Sequence, residues 1–168
     1  AEAEGLWLHV DAAYGGFFML TERGREAMRG IERADSVALD PHKGLFLPYG
    51  TGSLLVRDPE ALKRAHTTFA DYMPEIQQDT ALIDFCQISP ELSRDFRGLR
   101  VWLPIKLFGI GAFRSSLDEK LDLSRWATDQ LREVPAVEIL AEPQLSLTAF
   151  RWAPAEHSED GLNDLNRE

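Results

Sequence analysis

Two short stretches carry residue types that could do chemistry. The first is Asp40-Pro41-His42-Lys43, followed by Gly44. Lys43 precedes an apolar stretch, Leu45-Phe46-Leu47. A lysine drawn into such surroundings loses hydration, and desolvation favours the neutral amine, which can condense with a carbonyl. The competing reading is a lysine whose stem lies on apolar surface while its ammonium stays in water. The second stretch is Trp7-Leu8-His9-Val10-Asp11-Ala12-Ala13-Tyr14-Gly15-Gly16. Asp11 closes an apolar run, where a buried carboxylate is costly unless paired. The competing reading makes it the cap of the turn that follows.

The elements that must position these residues can be read from pattern. Leu6 to Val10 reads as a strand buried on both faces, as in a parallel sheet. Residues 22–30 suit a short exposed helix closed by Gly30. Ser36–Leu39 is a second strand, stopped by Asp40-Pro41. Gly52–Val56 is a third, and Pro59–His66 a helix with proline at its first position. Residues 67–95 lack periodicity and contain Pro74 and Pro90, as expected of a mobile functional loop. Helical spacing returns over Phe96–Phe108, with Pro104 as a kink. Residues 112–133 form an amphipathic helix with Phe113, Leu117, Leu121 and Leu131 on its stripe and Trp126 near it. Leu145–Trp152 alternates as a half-buried strand, with Leu145, Leu147 and Ala149 inward. The last residues read like a helix just begun. Strands alternating with helices make the class α/β.

Composition narrows the function classes. The chain has 168 residues, 44% of them hydrophobic, with four Trp and nine Phe, enough for a folded core. A net charge of −10 repels phosphate backbones, so no nucleic-acid partner is expected. No run approaches the roughly 20 apolar residues that span a bilayer, so no membrane partner is expected either. The single cysteine, Cys86, cannot form an internal disulfide and reads as a small hydrophobe beside Phe85 and Ile88. This suits a reducing, cytoplasmic setting. Both ends look cut, which suggests part of a longer protein.

An aspartate at one strand end and a lysine after the next strand form the pairing that a pyridoxal-phosphate enzyme needs. With that pairing in view, HVDAAYGG followed by ADSVALDPHKG resembles the signature of the group II pyridoxal-phosphate-dependent amino-acid decarboxylases. Ser93-Arg-Asp-Phe-Arg-Gly-Leu-Arg-Val-Trp102 is similar to a further segment of that family. The resemblance covers most of residues 5–110 and, more weakly, the rest. It implies a fold-type I large domain, mostly parallel sheet with flanking helices, over 1–110, including the loop at about 67–95. It implies a connecting helix and the beginning of a small C-terminal α+β domain over 111–168.

The resemblance also assigns roles. Lys43 would hold pyridoxal 5'-phosphate as a Schiff base, and Asp11 would pair with the ring nitrogen. Ala13 would lie against one face of the ring, and His42 would reach the phosphate or its neighbourhood. His9 would have a supporting role only. Tyr72, on a loop closing over the site of the neighbouring subunit, would protonate the α-carbon after carbon dioxide leaves. The implied activity is decarboxylation of an L-amino acid, aromatic or related, by a homodimer with its active site at the subunit interface. The rivals are another fold-type I enzyme (aminotransferase, lyase or aldehyde synthase) and a catalytically silent fragment lacking the phosphate-binding half. Three departures stand out: Asp95 replaces the second arginine of an SRR run, Asp40 stands where several relatives have Asn, and Gly44 replaces a large Trp.

Overall fold

The computed structural model describes residues 1–67 and 84–167. These divide into two compact units. One comprises Ala1–Phe17 and Arg29–Leu107, the other Phe18–Met28 and Phe108–Glu168.

The first unit is built on a three-stranded sheet of β1 (His9–Asp11), β2 (Ser36–Leu39) and β3 (Ser53–Val56), in that order. β1 pairs with β2 in parallel, Asp11 opposite Ala38, and β2 pairs with β3 antiparallel, Ala38 opposite Leu54. Asp-Pro steps end β2 and precede the next helix, since proline cannot donate to a ladder but suits a first helical turn. Asp40-Pro41 thus opens α2 (Pro41–Gly44), and Asp58-Pro59 opens α3 (Pro59–His66). Leu45 and Leu47 are buried beneath α2. Gly16 and Gly44 permit close packing there. A Cβ at Gly16 would meet Leu39 Cδ2 at 2.0 Å, and one at Gly44 would meet Phe17 Cβ at 2.7 Å. The missing large residue after Lys43 is therefore matched by a phenylalanine that occupies its space. α4 (Gly98–Phe108) runs through Pro104 and stops at Gly109, whose φ of 76° breaks the helix.

The strand expected over Leu6–Val10 is displaced and more exposed than foreseen. Leu6 and Trp7 are 63% and 53% exposed. β1 is an edge strand, and the backbone before it is tied by a side chain: Leu8 N donates to Asp35 Oδ2 at 2.7 Å.

The second unit packs α5 (Ile110–Arg132) on a hairpin of β4 (Val137–Gln144) and β5 (Leu147–Trp152), with α1 (Glu22–Ala27) and α6 (Glu159–Leu165). Phe113, Leu117, Leu121 and Thr128 form the buried stripe of α5. Trp126 is instead 62% exposed, because five residues at 100° each carry it about 140° round the helix from Leu121. The α1 helix ends at Ala27 rather than Gly30. Arg23 on α1 binds Asp118 at 3.0 Å and also bonds Asp122, both on α5. Arg151 bridges Glu138 at 2.6 Å and Glu159 at 2.9 Å, joining β5 to β4 and α6.

The hairpin overturns two expectations. β4 was not foreseen, and the expected face of β5 is reversed. Leu145 takes φ 52° and belongs to the turn, and Leu147 is exposed, whereas Thr148 is half-buried. The reason is polar: Thr148 Oγ1 bonds Thr128 Oγ1 at 2.8 Å.

Gly24 is the tightest backbone approach in this unit. Buried Thr21 caps α1 by accepting from Gly24 N at 2.9 Å and donates to Phe18 O at 2.8 Å. A Cβ on Gly24 would lie 1.9 Å from Phe18 O, which is backbone and cannot step aside. Gly24→Ala should therefore cost about 3 kcal/mol in denaturant unfolding of the complete protein. An unchanged midpoint would contradict that packing.

Candidate active site

Asp11 ends β1 and turns the chain. Its Oδ1 accepts from Ala13 N at 3.1 Å, and Ala13 O accepts from Asp40 N at 3.1 Å. The turn after β1 is thereby stitched to the residue that opens α2. Asp40 in turn reaches forward to Lys43, Oδ2 to Nζ 2.8 Å, three residues along the helix. His42 packs the other way. Its Nδ1–H donates to Thr51 O at 3.1 Å, and its ring lies 4.8 Å from that of Tyr49. Its Nε2 is 3.7 Å from Asp40 Oδ2. Thus Asp11, Ala13, Asp40, His42 and Lys43 come together at one end of the sheet, where open α/β sheets bind ligands.

The electrostatics centre on the lysine. The bond to Asp40 holds the Lys43 amine above its ordinary range, with the charges of the Asp11 carboxylate and of the Tyr49 phenol when ionised adding to the effect. The same bond holds Asp40 below the usual carboxylate range. For both Lys43 and Asp11 the competing reading describes the surroundings found. Lys43 is 43% exposed and ion-paired, not desolvated and neutral, because the helical turn sends Leu45 inward and Lys43 outward. Asp11 is exposed rather than buried, with one oxygen engaged as a turn cap. Ala13 is half-buried. His9, beside Asp11, bonds Ser36 Oγ through Nδ1 at 2.8 Å and stands apart from the lysine's contacts. Tyr72 lies outside the described residues.

Sequence reasoning noted Asp40 as part of the lysine's stretch, as a strand stop and as a departure from relatives, but gave it no role on the amine. The signal was present, since a carboxylate three residues before a lysine faces it on a helix. Tyr49 and Thr51 were missed altogether. Thr51 Oγ1 is buried without a hydrogen-bond partner.

The residues fit pyridoxal phosphate. They offer an accessible amine for its carbonyl, a carboxylate acting on that amine from the next strand end, and an uncommitted buried hydroxyl in the segment that binds His42. Among the described residues no group of His, Cys, Asp and Glu could hold a metal, and no helix is long and apolar enough to cross a membrane.

Comparison with known proteins agrees. The chain is 37% identical over 166 residues to an aromatic-L-amino-acid decarboxylase of Bacillus atrophaeus, covering 98% of this chain and 35% of that protein. It superposes on Oryza sativa TDC, solved with PLP and tryptamine, with a TM-score of 0.91 at 26% identity, covering 99% of this chain and 35% of the other. The Catharanthus roseus tryptophan decarboxylase in complex with L-tryptophan gives 0.84 at 30% identity, covering 99% and 33%. The chain therefore spans about a third of the length of these relatives. Residues 1–153 match the pyridoxal-dependent decarboxylase conserved domain, and with an amine, a carboxylate and an imidazole gathered at one sheet end this chain belongs to that family.

Proposed function

We propose that the protein containing this chain decarboxylates an L-amino acid, aromatic or related, to its amine and carbon dioxide. The observation that carries this reading is the placement of Lys43 on α2, paired with Asp40, whose backbone is bonded to the turn that Asp11 caps, in a chain of the pyridoxal-dependent family. Decarboxylases of aromatic amino acids among the relatives support the substrate class.

Pyridoxal phosphate, when bound, supplies an electron-accepting ring and a carbonyl for amines. Lys43 would hold it through the ε-amine and give way to the substrate's amine. Asp11 would face the ring nitrogen and keep a proton on it, so that charge developing above the ring is stabilised. Ala13, short and next in the turn, leaves room for a flat group beside it. His42, fixed by Thr51 O and Tyr49, would sit toward the phosphate. Tyr72 would deliver the proton to the α-carbon, from a loop contributed across a homodimer interface. In this reading residues 1–110 belong to the cofactor-binding domain and 111–168 begin the smaller one, in a cytoplasmic enzyme.

The test is covalent. Borohydride treatment of the complete protein with its cofactor, followed by peptide mapping, should fix the cofactor on Lys43. Labelling at another lysine would overturn the assignment.

A further inference from the structure

We propose that Asp40 is a positioning residue that holds the free Lys43 amine as an ammonium and so sets the pH at which that amine becomes reactive. The inference rests on Lys43 being the cofactor lysine.

The molecule contains its own control. Two helices open with Asp-Pro, and the two aspartates share almost the same extended backbone: φ −112°, ψ 100° at Asp40 and φ −103°, ψ 102° at Asp58. Asp58 caps its helix, Oδ1 accepting from Glu60 N at 3.0 Å, while its Oδ2 pairs with Arg64 at 3.1 Å. Asp40 makes no side-chain cap bond. Its carboxylate goes instead to Lys43 Nζ at 2.8 Å. The same backbone at Asp58 supports a cap and an ion pair together, whereas Asp40 keeps only the ion pair, on the lysine.

Asp40 touches the Lys43 amine, and the titratable groups acting on it at longer range are Asp11 from the end of β1 and Tyr49 from the segment after α2. His42 Nε2 faces the Asp40 carboxylate at 3.7 Å. A carboxylate favours the charged amine, so the proton is kept to higher pH and lost more readily once that charge is removed. In function, the amine released when substrate binds would be parked against Asp40, charged and unable to react until it gives up a proton.

The test needs no cofactor. The complete protein, stripped of cofactor, is trace-labelled with acetic anhydride across a pH series, and the Lys43 peptide is quantified by mass spectrometry. At neutral pH and low salt, Asp40→Asn should label Lys43 about threefold faster and move its midpoint down in pH. Asp40→Glu should restore the parent's behaviour. Lys63, paired with Glu60 at 2.8 Å on α3, should be unaffected in both variants. Raising salt should speed Lys43 labelling in the parent, because the pair is exposed enough to be screened. That arm decides the matter even if a variant fails to fold. Identical Lys43 midpoints in parent and Asn variant, or a parent midpoint indifferent to salt, would overturn the proposal. Failure of the borohydride mapping would instead remove Lys43 as the cofactor lysine while leaving the labelling result intact.

Discussion

Asp11→Asn should lower turnover of the complete enzyme by on the order of 10³-fold while leaving its fold in place. The substitution separates charge from geometry. Asp11 Oδ1 accepts from Ala13 N, and an asparagine carbonyl can accept the same bond, so the turn into Ala13 and its link to Asp40 survive. What disappears is the negative charge that would keep a proton on the cofactor's ring nitrogen. A neutral amide there stabilises that proton far less, and several kcal/mol of transition-state stabilisation go with it. Turnover and thermal unfolding measured on the same preparation separate the two effects. Near-normal turnover, or a loss matched by unfolding, would leave Asp11 as a turn cap and nothing more.

The second large effect is expected at Tyr72. Replacement by phenylalanine keeps the ring and removes the only ionisable proton the side chain can give. General acid catalysis by a positioned side chain contributes roughly 10²- to 10⁴-fold. Tyr72→Phe in the complete protein should therefore lose most amine formation while carbon dioxide is still released, with dissolved dioxygen and water taking the place of the missing proton donor so that the product becomes the aldehyde, with ammonia and hydrogen peroxide. The two products should be assayed together, since a merely damaged site would lose both in step. Equal amine yield from variant and parent would show that the phenol is not the proton donor.

How much of this was legible in the sequence depended on punctuation. β2 and α3 are bounded by Asp-Pro steps, and both occur where expected, Ser36–Leu39 and Pro59–His66. Asp11 and Lys43 stand out in the sequence because strand ends are where an α/β sheet exposes chemistry. Their environments were misjudged for a common reason. Apolar neighbours in sequence suggested burial, yet two residues, about 200° round the helix, separate the outward Lys43 from the inward Leu45. β4 escaped notice because Val137–Gln144 is interrupted by register shifts that spoil its alternation. Asp40 reads as a family variation, although its spacing of three from Lys43 is the one that brings it to the amine on a helix.

The hydroxyls between α5 and β5 have a further consequence, for how the hairpin finds its place. Thr128 Oγ1, fully buried, donates to Ser124 O at 2.9 Å and accepts from Thr148, which Ser124 Oγ also approaches at 3.3 Å. A strand that slid by one residue would bring Leu147 or Ala149 against this cluster. Neither has a hydroxyl, so Thr148's place as a partner would stand empty at a depth where an unmet polar group costs about 1–3 kcal/mol. Such a slip would also turn every side chain of β5 to the opposite face. The threonines therefore act as a key that adds a polar condition to the alignment of β5 on α5.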